Sequence, residues 1–168
     1  MKNKSTNCQK AQNKNDKIYL EKLGGLLVNI SSLEFLLRVC LLRHEGKEQG
    51  KFALNKVKVG ERVEKNSFTG RDTLGTVIEK FNRIFKNQHG VNKLQNLNKI
   101  RNVITHSRIF PDNPNTPLIM IKFNSSMNRR FVDVEAIQEF NEKWLNEALK
   151  LVRLEIKRLS DFYENLGK

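Results

Sequence analysis

A chain of 168 residues is long enough to bury a hydrophobic core in one domain without disulfides or metal. With 38% apolar and 8% aromatic residues and few Gly or Pro, it falls outside the disordered and fibrous classes. Its 31 Lys plus Arg against 18 Asp plus Glu leave a formal charge of +13 and a pI near 9.9, a surface that attracts polyanions, although a Lys and Asn compositional bias alone would give the same sum.

Residues 1–16, rich in Lys, Asn and Gln, read as a disordered basic tail without the apolar run of a secretory signal. Cys8 in this tail and Cys40 in an apolar helix offer neither a disulfide framework nor a CxxC metal site, so a reducing cytoplasm is the expected location. From Lys17 to about His44, Leu20, Leu23, Leu27, Ile30, Leu33, Leu37 and Leu41 recur every three or four positions, which predicts a long first helix. Asn29, Ser31, Ser32, Glu34 and Arg38 interrupt its apolar run and argue for a buried helix rather than a membrane span. Gly24 and Gly25 mark a kink, a close contact or a break, and Gly46 and Gly50 stand at its expected end.

Residues 47–71 lack a helical period, and Val57, Val59 and Val63 alternate around Gly60 as in an extended loop or a short β-excursion. Asp72 then suits the N-cap of a helix with Leu74, Val77, Ile78, Phe81, Ile84 and Phe85 inward, stopping near His89-Gly90. A third helix is expected from Val91 to Arg108, with Leu94, Leu97, Ile100, Val103 and Ile104 inward and Pro111, Pro114 and Pro117 barring its continuation. Leu118 to Phe123 and Arg129 to Val134 flank a polar turn and predict a small β-hairpin. Ile137, Phe140, Trp144, Ala148, Leu151, Leu159 and Phe162 then predict a long last helix over 134–166. The expected fold is all-α, one antiparallel helical bundle over 17–168 with a long first and last helix and a hairpin near 118–134.

The third helix carries the chemistry. At 100° per residue, Asn98, Arg101, Asn102 and His106 spread around the side opposite Leu97, Ile100, Val103 and Ile104. Arg101 stands roughly 140° from His106 on an ideal helix, so the two converge only by one of three routes. The long Arg side chain bends round, the helix loosens near His106, or a second subunit brings its own strip opposite in a two-fold contact.

Arg101-Asn102-Val103-Ile104-Thr105-His106 resembles the motif of the HEPN superfamily, whose ribonuclease members carry an Arg, a polar residue, a few variable positions and a His at the end of a core helix. The resemblance is tight over helix three and loose over the helical layout of 17–166. The 47–71 connection and the 118–134 hairpin do not map onto a family core. It implies a metal-independent endoribonuclease, often a toxin or antiphage effector, acting as a homodimer through a composite site. In that reading His106 moves protons at the ribose 2′-hydroxyl or the 5′-oxygen, Arg101 offsets charge on the phosphorane-like transition state, and Asn102 holds the imidazole or a phosphate oxygen. The implied products are a 2′,3′-cyclic phosphate and a 5′-hydroxyl. Asn98, Ser107, Arg108, Arg129 and Arg130 are the candidate contacts to flanking RNA phosphates, with solvated surface as the alternative.

His44 and His89 lie beside Gly46 and Gly90 and read as helix-end residues rather than ligands. No HExxH, Gly-rich phosphate loop or Ser-centred elbow occurs, so neither metal nor cofactor is expected. Two rival readings stay open: a non-catalytic HEPN-like module that binds RNA or protein, and a toxin-like subunit whose strip an antitoxin or regulatory protein masks. DNA binding is disfavoured by the lack of a short helix-turn-helix pair.

Overall fold

The computed structural model describes residues 3–46, 62, 65–86, 91–110, 118–123 and 133–166. They are mostly helical, with four helices and one small sheet: α1 (Asn3–His44), α2 (Leu74–Ile84), α3 (Val91–His106), β1 (Ser107–Phe110), β2 (Leu118–Phe123), β3 (Val134–Phe140) and α4 (Glu142–Asn165). The backbone divides into two compact units, the first formed by Met1–Asn29 and Lys99–Leu151, the second by Ile30–Asn98 and Val152–Lys168.

Helix α1 starts at Asn3, so the stretch expected as a disordered tail is helical backbone. Residues 3–16 contain no Gly or Pro, and adding a residue to an existing helix avoids the nucleation step. Gly24 and Gly25 neither break the helix nor mark a close contact, since a Cβ at either would meet nothing within 4 Å. Gly46 takes φ +66° just past the last turn, the left-handed conformation that a glycine adopts without strain. The buried stripe is Leu26, Ile30, Leu33, Leu37, Cys40 and Leu41, whereas Leu20 and Leu27, expected inward, are 67% and 37% exposed. The Lys17–His44 stretch is long and apolar enough to cross a membrane by length and composition, and Leu26, Leu33, Leu37 and Cys40 within it are fully buried.

In the first unit the expected hairpin is a three-stranded antiparallel sheet in the order β1-β2-β3. Its third strand replaces what read as the first two turns of the last helix. Val134–Phe140 satisfies a period of two as well as one of 3.6, and pairing with β2 decides between them, Ile121 facing Ile137 and Leu118 facing Phe140. Ile137, expected in the core, is 67% exposed, and Phe140 is buried from the strand. Helix α4 begins only after Asn141, whose side-chain oxygen accepts the Trp144 N–H at 2.9 Å and caps the first turn. Leu26, Met120, Phe140, Leu145, Ala148 and Leu149 are buried here, and Phe140 lies between the rings of Tyr19 and Trp144. Lys22 donates to Glu142, and that bond holds the Glu142 carboxyl below its usual range.

The apolar core of the second unit includes Leu33, Leu37, Leu74, Ile78, Phe81, Leu94, Leu97 and Leu159, all inaccessible or nearly so. Phe81, Phe85 and Phe162 form a three-ring cluster with centroids 4.8–5.6 Å apart. Leu151, expected inward on α4, is 44% exposed; it falls within the first unit, where Ala148 and Leu149 take the buried positions. The N-cap of α2 is Thr73 rather than Asp72: its hydroxyl accepts the Thr76 N–H at 3.3 Å. Asp72 is engaged elsewhere, its carboxylate with Lys80 at 2.5 Å and its carbonyl with Arg38. Most of the 47–71 connection, together with His89-Gly90 and the three prolines, lies outside the described residues.

Arg38 organises the end of that connection. Its Nε and Nη2 donate to Glu34 Oε1 at 3.1 and 2.7 Å, Nη1 donates to the carbonyls of Ser67 and Gly70 at 3.1 Å, and Nη2 to that of Asp72 at 2.5 Å. All five N–H groups of a nearly buried guanidinium are thus satisfied, as burial of a cation requires.

Candidate functional site

The Arg-Asn-x3-His motif occupies the last turns of α3, in the first unit, and the helix ends at His106 instead of running on to Arg108. Ser107 opens β1 directly, because Ser107-Arg108-Ile109-Phe110 pairs residue for residue with Lys122, Ile121, Met120 and Ile119 of β2. Ile100, Val103 and Ile104 are half-buried, as are Arg101 and Asn102, while His106 is exposed.

Arg101 and His106 meet within one chain. Arg101 Nη1 donates to Asn102 Oδ1 at 3.1 Å and lies 3.3 Å from His106 Nε2. Of the three routes that the helical wheel leaves open, the bending of the Arg side chain is enough to bring the two together within one chain. Thr105 Oγ1 donates to the Arg101 carbonyl at 2.9 Å and occupies the backbone oxygen of the same residue. Guanidinium nitrogens only donate, so the contact requires a lone pair on Nε2, that is, a neutral imidazole with its hydrogen on Nδ1. At 3.3 Å the bond is long and is readily exchanged for one to an anionic oxygen. Among the described residues no carboxylate pairs with Arg101.

The remaining candidates separate. Asn98 belongs to the second unit, half-buried, with Nδ2 3.0 Å from where a Cβ on Gly75 would stand, so its amide packs against α2. Ser107 Oγ is buried and without a hydrogen-bond partner, so it is not presented to a phosphate. Arg108 is exposed, with its guanidinium carbon 5.8 Å from the centroid of Phe123. Arg129 and Arg130 lie outside the described residues, as does His89. His44 closes α1 and stands edge-on to Phe85 at 5.4 Å, a helix-end residue in contact with the core. Phe123 was not singled out in the sequence, although the alternation of Ile119, Ile121 and Phe123 was the available signal.

Among the described residues no group of three or more His, Cys, Asp and Glu could hold a metal ion. The second unit has an open cleft of about 530 Å³ lined by Glu45, Lys65, Asn66, Ser67, Gly70, Asp72 and Lys80. Its carboxylates are engaged, Asp72 by Lys80 and Glu45 by the Ser67 hydroxyl. Comparison with protein-family models, curated proteins and solved structures gives no match to this chain.

Proposed function

We propose that the chain is a metal-independent endoribonuclease of the HEPN type, built on an antiparallel helical bundle, with Arg101, Asn102 and His106 as its site. The observation that carries the reading is the 3.3 Å approach of Arg101 Nη1 to His106 Nε2 on an exposed helix end, with no carboxylate partner for the guanidinium among the described residues. A phosphate diester entering there competes for Arg101 and releases Nε2 as a base. His106 Nε2 takes the ribose 2′-hydroxyl proton, the 2′-oxygen attacks phosphorus, and the bond from phosphorus to the 5′-oxygen breaks. The proton taken at Nε2 makes the imidazole a cation, which drives Arg101 from the ring and onto the phosphate oxygens where charge accumulates. A protonated imidazole then returns a proton to the 5′-oxygen, which gives a 2′,3′-cyclic phosphate and a 5′-hydroxyl. The homodimer implied by the resemblance adds a second Arg–His pair, one imidazole serving as base and the other as acid; solution mass with and without RNA tests it. Action in the cytoplasm as a toxin or antiphage effector, restrained by an antitoxin-like protein, belongs to the same proposal.

A second reading is favoured by the same contacts: Arg101, Asn102 and His106 bond to one another, which also suits a non-catalytic HEPN-like module that binds RNA or protein. A labelled RNA pool incubated with EDTA and the chain, Arg101→Ala or His106→Ala separates them. The ribonuclease reading expects cyclic-phosphate ends from the parent chain and none from either folded variant. Linear 3′-hydroxyl ends, a need for added Mg²⁺, or an inert parent would sink it in favour of the binding module.

A further inference from the structure

The sheet that follows His106 has one buried face and one open one. Paired residues share a face, so Met120 and Phe140, 1% and 4% exposed, define the inner side together with Ser107, Lys122, Ala136 and Gln138. The other side carries Arg108, Ile121 and Ile137 in one row across the three strands, with Ile119 and Glu139 paired in the next row. On the far side of that central row Phe123 pairs with Val134, and the register shift leaves Glu135 as the extra residue of β3. Ile137 and Val134 are 67% and 52% exposed, and Ile119, Ile121 and Phe123 are half-buried. A contiguous apolar patch of this kind in the middle of a solvated sheet calls for an occupant.

The charges on this face are sorted by edge. Among the described residues its cation, Arg108, lies on β1 and its anions, Glu135 and Glu139, on β3, with Ile119, Ile121 and Phe123 of β2 between them. Both carboxylates are exposed; Glu135 pairs with Lys122 of the inner side, and Glu139 accepts only from the neutral amide of Asn141. A polyanion would meet two carboxylates here, and a partner of either single sign would be repelled at one edge. The matching surface has the same apolar centre and the opposite order of charges. A second copy of the face supplies it. Rotation by 180° about an axis parallel to β2, between facing sheets about 10 Å apart, lays β1 of each copy over β3 of the other. Arg108 then stands over the second copy's Ile137, between Glu135 and Glu139 of that strand, and the reverse pair forms across the axis. Rotation about an axis across the strands would instead lay β1 over β1, so charge selects the axis as well as the occupant.

We infer that the open face of the β1-β2-β3 sheet is a two-fold contact between two copies of this chain, with Ile121 and Ile137 at its centre and Arg108 of each copy held by Glu139 or Glu135 of the other. The contact does not depend on the ribonuclease reading, because Arg101, Asn102 and His106 lie on α3 and take no part in it. It gives a homodimer a surface other than the α3 strip.

The test is the mass of the full-length chain by sedimentation equilibrium over a series of concentrations, for the parent and for variants whose circular dichroism matches it. The parent is a dimer in reversible equilibrium with monomer. Ile137→Asp raises the dissociation constant roughly tenfold or more, the effect of losing one buried isoleucine from each copy. Val134→Lys, at the other exposed apolar position, repeats the test if Ile137→Asp fails to fold. Arg108→Glu and Glu139→Arg each weaken self-association, and an equimolar mixture of the two regains it, because one pair across the axis is then original and the other reversed in sign. A parent that stays monomeric at every concentration overturns the inference, as does an Ile137→Asp chain that dimerises like the parent, or a mixture that associates no better than its components. An Ile137→Asp chain that keeps its mass and loses affinity for a labelled RNA also overturns it and assigns the face to RNA. Cleavage of RNA is read in parallel. A dimer dissolved by Ile137→Asp in a chain that never cleaves upholds the inference and refutes the ribonuclease reading, whereas cleavage by a strictly monomeric chain does the reverse.

Discussion

Two arginines in this molecule have opposite environments. In the second unit Arg38 is 9% exposed and meets the Glu34 carboxylate and three backbone carbonyls, so both its charge and its donors are satisfied. In the first unit Arg101 is half-buried and, among the described residues, meets the amide of Asn102 and the imidazole of His106, both neutral acceptors in that arrangement. A guanidinium given geometry but no counter-charge is ready for an anion, and one given both serves the fold. The contrast shows that an arginine's role is read from the charge of its acceptors, since counting hydrogen bonds would rank Arg38 as the more important site.

The comparison is broken most severely by removing each side chain in turn. Arg38→Leu leaves Glu34 and the carbonyls of Ser67, Gly70 and Asp72 without their cation and is expected to cost about 3–5 kcal/mol in urea unfolding. A loss below about 1 kcal/mol would mean that water replaces the guanidinium and that the contrast is overstated. Arg101→Ala is expected to move stability by no more than about 1 kcal/mol while lowering RNA cleavage about 10²–10³-fold, and Arg101→Lys to restore only part of the rate. Equal effects of Arg38→Leu and Arg101→Ala on thermal unfolding would erase the distinction.

Smaller changes sharpen it within the second unit. Thr73→Ala removes the cap of α2 and is expected to cost about 1 kcal/mol, whereas Asp72→Ala acts through Lys80 and not through the helix end. The hydrogen bond from Lys80 holds the Asp72 carboxyl below its ordinary value of 3.8, with the charges of Lys80, Arg38 and Lys65 acting in the same direction. A carboxyl depressed in the folded state contributes stability that is present above its ordinary value and lost as pH falls through the depressed one. Asp72→Asn should therefore be less stable than the parent near neutral pH, and the gap should close below pH 3.8 in a series of melts. A gap independent of pH would assign the effect to packing.

How much was legible in advance follows from which forces are local. Helix α1 from Lys17 onward, α2 and most of α3 follow from the spacing of Leu and Ile, because a period of 3.6 is written in the chain itself, whereas residues 3–16 have no such spacing and were not legible as helix. Strand β3 was not legible, since Val134–Phe140 fits either period and its state is set by a partner strand distant in sequence. Thr73 displaced Asp72 as cap through contacts to Lys80 and Arg38 that no local pattern contains. The motif's place in the last turns of α3 was legible from Leu94, Leu97 and Ile100. The approach of Arg101 to His106 was not, because a helical wheel fixes where side chains leave the backbone and not where four torsions carry their ends. Asn98 read as part of the strip only because Gly75, the space its amide fills, is 23 positions away in sequence.

The junction between α3 and β1 has a consequence for how such a chain can vary. His106 is the last helical residue and Ser107 the first paired one, with no spacer between two kinds of backbone hydrogen bonding. Inserting or deleting one residue there would turn every β1 side chain onto the opposite face, sending Ser107 out and Arg108 in, or rotate His106 by roughly 100° away from Arg101. Length is therefore as strictly constrained at this point as residue identity, and descendants of this chain would accept substitutions here long before they accept a change of spacing.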